Sequence, residues 1–121
     1  MHEESLVRSL IRQVEQIAEQ HHAVFVREIR TEAGPLSGVE PVLVQSAFQR
    51  ITSDHVLCGR AVLLIDEPGL HGECGPCGKS FVLQTAEFLC PHCQSGQIRI
   101  TRGDDFRLID VVLETGPGPQ L

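Results

Sequence analysis

Tryptophan and tyrosine are absent, and phenylalanine occurs only five times in 121 residues. A core must then be assembled mainly from Val, Leu and Ile. At this length such a core is modest, and a metal tying part of the chain together would help to stabilise it. Long apolar runs are missing as well: no stretch approaches the roughly 20 residues that a membrane-spanning helix needs. The N-terminal segment also lacks the unbroken apolar core of a secretory signal, because Arg8, Arg12, Gln13 and Glu15 interrupt it. Positive charge is scarce, with 10 Lys and Arg against 16 Asp and Glu, for a formal net charge of −6. Such a surface repels phosphate backbones and removes the main electrostatic contribution to non-specific nucleic-acid binding. The expected setting is a reducing cytoplasm with no membrane or nucleic-acid partner. There, closely spaced cysteines read as metal ligands rather than disulfides.

The residues that are present, 41% hydrophobic and 21% charged, suit a globular chain rather than a disordered one. From Glu4 to about Gln20, Leu6, Leu10, Val14 and Ile17, with Val7, Ile11 and Ala18 beside them, repeat at helical spacing. Glu3, Glu4 and Ser5 place negative charge and a capping hydroxyl at the positive end of the helix dipole. Val24 to Glu32 is rich in β-branched residues and reads as a strand, and Gly34, Pro35 and Gly38 then mark a turn. Pro41 suits the first position of a second helix running to about Ile51. Arg60 to Glu67 and Phe106 to Glu114 read as further strands, the latter with Ile109, Val111 and Leu113 on one face. The predicted fold is α+β, with two helices on a small, mostly antiparallel three-stranded sheet and a four-cysteine zinc-ribbon module inserted before the last strand. Residues 1–67 with 104–115 form the α/β domain, 68–103 the zinc-binding domain, and 116–121 a flexible tail.

The module carries Cys74-Gly-Pro-Cys77 and Cys90-Pro-His-Cys93. Each C-x-x-C turn puts two thiolates on one side of a tight loop, and two such loops facing each other make the tetrahedron that zinc prefers. Gly75, Gly78 and Gly96 are expected to permit the turns that aim N–H groups at sulfur. Four sulfur donors leave no open position for a catalytic water, so the zinc is structural. The alternative is a redox dithiol pair. His71 and His92 lie nearby, either as solvated loop residues or as replacements for a thiolate. Cys58 stands apart and reads as a small buried hydrophobe.

The chain opens Met1-His2-Glu3. The terminal amine, the His2 amide nitrogen and the His2 imidazole can close adjacent chelate rings on one ion, and Glu3 can add a fourth donor. Such nitrogen-rich sets suit Ni(II) or Cu(II). Alone, this signal is weak and is outweighed by the reading as a frayed terminus.

The segments MHEESLVRSLI, GPLSGVEP and CGPCG…CPHC, in that order, give the chain a resemblance to the HypA/HybF family of hydrogenase nickel-incorporation proteins. The resemblance extends from Met1 to about Glu114. It implies a nickel site at His2 assisted by the Met1 amine and Glu3, and a zinc site at Cys74, Cys77, Cys90 and Cys93. It also implies a cytoplasmic metallochaperone, a monomer or weak homodimer, that delivers Ni(II) as exchangeable cargo to the large subunit of [NiFe]-hydrogenase. Its expected partner is a HypB-type GTPase, and in some bacteria the family also serves urease maturation. Many members have leucine after MHE, where this chain has Glu4. Glu40, in GPLSGVEP, reads as a helix-capping residue or as a contributor at the nickel end. The competing reading is a zinc-ribbon adaptor or nucleic-acid-binding regulator. An enzyme is not expected: there is no Gly-rich phosphate loop and no nucleophile-base constellation, and no catalytic residue is assigned.

Overall fold

The computed structural model describes residues 2–83 and 87–116. Its element order is α1 (Glu3–Gln20), β1 (Ala23–Ala33), α2 (Pro41–Thr52), β2 (Val62–Asp66), β3 (Leu70–Cys74), β4 (Ser80–Leu83), β5 (Ile98–Arg102) and β6 (Phe106–Thr115). They divide into two compact units, Met1–Thr31 with Val39–Ile65 and Leu108–Leu121, and Glu32–Gly38 with Asp66–Arg107. The proposed tail falls largely on residues 117–121, outside the described residues.

In the first unit, α1 buries Val7, Leu10, Ile11, Val14 and Ala18, the stripe that the helical spacing marks. Helix α2 packs against α1, and Val44, Ala47 and Phe48 of α2, Val26 and Ile29 of β1, and Leu63 of β2 are likewise buried. Helix α1 starts one residue earlier than expected. Its N-cap is His2, without a side-chain capping bond, so Ser5 falls inside the first turn and does not cap. Pro41 does open α2.

The two helices and the three-stranded sheet are as expected, but the sheet, ordered β2-β1-β6, is mixed. Arg27 pairs with Glu114 and Arg30 with Asp110, partners that run in opposite directions, so β1 and β6 are antiparallel. Along β2 and the residues leading into it, partners advance together: the Val26 N–H donates to the Leu57 carbonyl and the Thr31 hydroxyl to that of Leu64. The pair β1/β2 is parallel because α2 makes the crossover between them, as a β-α-β connection requires. The expectation of a mostly antiparallel sheet is corrected on this pair.

The second unit contains a sheet that sequence reasoning did not draw, ordered β4-β3-β5. Strand β3 pairs antiparallel with both neighbours. Its small core comprises Cys74, Phe81 and Cys90, with Leu83 and Ile98 packed against them. Phe81 lies over Gly72, where a Cβ would come within 2.9 Å of the ring. Glu32 is buried here. Arg102 holds both of its oxygens and Arg107 one of them at 3.3 Å. The Arg102 hydrogen bond, acting against burial and helped by both guanidinium charges, holds the Glu32 carboxyl below its ordinary range.

Gly34 is required for a reason other than turn-making. A Cβ there would lie 2.2 Å from the Gly103 backbone, where Leu36 N–H donates to the Gly103 carbonyl at 2.9 Å. The backbones touch, and no side-chain rotation relieves the clash. Gly34→Ala is therefore expected to cost about 3 kcal/mol, the upper end for overpacking. Urea unfolding of the metal-loaded protein checks this, and an unchanged midpoint would contradict it.

Candidate metal centres

The four cysteine sulfurs converge. All lie within 4.8 Å of one another, and they form the single group of three or more metal-binding side chains among the described residues. Cys74 and Cys93 sulfurs are 3.5 Å apart, and those of Cys77 and Cys90 are 3.7 Å apart. A tetrahedral ion with metal–sulfur bonds of about 2.3 Å has sulfur–sulfur edges of about 3.8 Å. The spacing fits such an ion, and it is far too long for disulfides; all five cysteines are free.

The two knuckles are built alike. In each, the residue after the second cysteine has a left-handed backbone, with φ of 72° at Gly78 and 62° at Gln94. Its N–H donates to the carbonyl of the first cysteine, Gly78 to Cys74 at 2.9 Å and Gln94 to Cys90 at 2.8 Å. The first cysteine's own N–H then closes the loop onto Lys79 in one knuckle and Ser95 in the other, both at 2.9 Å. Gly78 was expected from its identity. Gln94 was missed, because glutamine carries no signal for positive φ; Gly75 and Gly96 do not have positive φ.

The two buried thiols, Cys74 and Cys90, are shifted in opposite directions. The Cys77 N–H favours the Cys74 thiolate. Burial and the hydrogen bonds shared with the other three sulfurs outweigh it and push Cys74 up to about 12. Burial also opposes ionisation of Cys90, but the N–H groups of Cys93 and His92 and the neighbouring thiols bring it down to about 7. His92 thus contributes its backbone, and its imidazole is not among the four converging ligands. His71 sits on β3 opposite Val82 and Arg102, likewise outside the group. Cys58 is fully buried, and desolvation followed by the Glu15 charge pushes its thiol up to about 11, as for an inert core residue.

At the other candidate site, His2 is exposed and Glu3 half-buried at the start of α1. A shallow concavity there is lined by His2, Glu3, Glu4, Leu43, Ser46 and Arg50, among others. Met1 lies outside the described residues. Glu4 is already engaged: Arg8 holds it at 2.9 Å and Arg50 lies 3.7 Å away, and the Arg8 hydrogen bond keeps its carboxyl below the ordinary range. Its carboxylate is thus paired with arginine at the exposed surface. Glu40 is the exposed N-cap of α2, and its side chain makes no capping bond.

Fold and sites together define a small α+β protein with a closed four-sulfur metal centre. Residues 1–113 match the family described as "Hydrogenase/urease nickel incorporation, metallochaperone, hypA". The hydrogenase maturation factor HypA of Helicobacter hepaticus is 36% identical, with 94% of this chain and 98% of the relative covered. That of Shewanella baltica is 38% identical over 94% and 97%. The solution structure of the Ni metallochaperone HypA from Helicobacter pylori aligns with a TM-score of 0.74 at 28% identity, covering 96% of this chain and all of that one. This chain belongs to the HypA family. It is a nickel-incorporation metallochaperone for hydrogenase maturation and not an enzyme. Among the described residues no helix is long and apolar enough to cross a membrane.

Two outcomes follow for the sulfur centre. Gly78→Ala forces a Cβ into the left-handed region at about 1 kcal/mol, so a competing chelator should strip zinc about fivefold more readily. Gln94→Gly relieves the same strain and should hold zinc at least as well; the reverse ranking in a chelator competition would contradict the knuckle geometry. Because Cys74 stays protonated at neutral pH without a metal, loading must expel protons. Zinc affinity should rise steadily with pH over about pH 6 to 8, with protons released in calorimetry in several buffers. A pH-independent affinity would contradict it.

Proposed function

We propose that this chain carries Ni(II) at its N-terminus through the His2 imidazole and amide nitrogens, with the Met1 amine and Glu3 completing the set. It passes the ion to the large subunit of [NiFe]-hydrogenase with the help of a HypB-type GTPase, in the cytoplasm and as a monomer or weak homodimer. Where a urease is present, the same cargo serves its maturation. The four cysteines hold a structural zinc.

The observation that carries this reading is the state of His2. It is exposed at the first position before α1, and its side chain is not consumed by a capping bond. A carrier needs few donors near the surface, so that a recipient can take the ion by stepwise ligand exchange. The cysteine centre has the opposite character, with two ligands buried and no donor position free. Family membership supplies the nickel, and donor chemistry divides the two metals: borderline nitrogen for nickel, soft thiolate for zinc. Selectivity over copper does not come from this donor set, since copper binds such nitrogens more tightly on the Irving–Williams trend. Metal supply and the partner must provide it.

His2→Ala is expected to abolish the tight nickel site in isothermal titration, by about a hundredfold or more in affinity, while zinc content stays at one per chain. Nickel binding as strong as in the parent protein would overturn the assignment. Low-salt nucleic-acid binding without nickel uptake would favour the adaptor reading instead.

A further inference from the structure

The four sulfurs of the metal centre are chemically unequal. Cys74 and Cys90 are 1% and 0% exposed, packed with Phe81 and flanked by Leu83 and Ile98. Each accepts a backbone N–H, Cys74 from Cys77 at 3.5 Å and Cys90 from His92 at 3.4 Å. Cys77 and Cys93 are exposed, and among the described residues no backbone N–H donates to either sulfur. An N–H donor withdraws electron density from a thiolate and blocks one approach to it, whereas a bare exposed thiolate keeps both its lone pairs and its access. Burial and hydrogen bonding are independent, and they divide the ligands in the same way, one of each kind per knuckle.

We propose that Cys77 and Cys93 form a reactive edge of the metal centre, where soft electrophiles and peroxides attack first and from which the metal is then released. The proposal rests on the reading of the four cysteines as a zinc site. With hydrogen peroxide, the exposed thiolate sulfur bonds to one peroxide oxygen as the O–O bond breaks, giving a sulfenic acid and hydroxide. A second thiolate then attacks that sulfur and expels hydroxide, closing a disulfide. Two sulfurs lose two electrons in total, and the peroxide, with two protons from solvent, becomes two waters. The partner is at hand: Cys93 lies 3.5 Å from Cys74, and Cys77 lies 3.7 Å from Cys90. Each such bond removes two of the four donors, so the ion leaves while the N-terminal nickel donors are untouched.

The test uses the full chain with its zinc content measured first, treated with substoichiometric iodoacetamide and followed by peptide mass mapping. A chromophoric chelator reports zinc release in parallel. Cys77 and Cys93 should be alkylated about tenfold faster than Cys74 and Cys90, with zinc release tracking the first two and buried Cys58 unmodified. Equal rates at all four, or Cys74 or Cys90 reacting first, would overturn the proposal. So would full alkylation of Cys77 and Cys93 with the zinc retained. A protein isolated with no zinc overturns the zinc reading itself, which the initial metal analysis separates from the other outcomes. Peroxide in place of iodoacetamide should give Cys74–Cys93 and Cys77–Cys90 disulfides in the same mapping.

Discussion

The convergence of four sulfurs is the contact on which the second unit depends. Its apolar interior is little more than Leu70, Phe81 and the two buried cysteines, with Leu83 and Ile98 partly covered. So small a core buries too little apolar surface to offset the chain entropy of ordering three short strands and two tight loops. Metal–thiolate bonds close that gap, because the ligands are gathered in the folded state alone and binding energy becomes folding energy. The knuckles are shaped for this. Their first cysteines face inward to meet Phe81, and their second cysteines lie exposed, each followed directly by a left-handed residue.

The sulfur centre and the proposed nickel site differ in physical character. The sulfur centre is saturated, so an ion there fixes geometry and offers no site for cargo. The proposed nickel site is a chain terminus on an exposed helix start, where donors come from consecutive atoms of one segment rather than from converging elements. Such a site imposes little structure and gives up its ion easily. Glu4 could have added a further carboxylate there, but Arg8 and Arg50 hold it against the helix pair. Both ion pairs lie at the exposed surface, one within α1 and one between α1 and α2.

Much of this was legible from residue order, and the failures have physical causes. Helix α1 was found because its apolar stripe is long and regular and α2 because Pro41 marks its first turn, and the cysteine spacing led directly to the sulfur cluster. Strands β3, β4 and β5 were missed: they are four or five residues long, and cysteine or glycine interrupts the pattern of β3. The parallel pairing of β1 and β2 was hidden because strand patterns carry no direction, although the helix between them could have indicated a crossover. Gly34 was read as a turn residue, but its need arises from a contact with Gly103, far away in sequence. Gln94 gave no sign of its left-handed backbone, since only its equivalence to Gly78 in the repeated knuckle would have suggested it. His2 is the reverse case. Nothing in its pattern is strong, and its proposed role rests on the family to which the chain belongs.

The separation of the two metals is best tested by X-ray absorption at both metal edges on protein loaded with one zinc and one nickel. The expected result is a zinc shell of four sulfurs and a nickel shell of nitrogen and oxygen only, including imidazole. Sulfur in the nickel shell would place the cargo at the cysteines and contradict the division between a closed structural centre and an open carrier terminus.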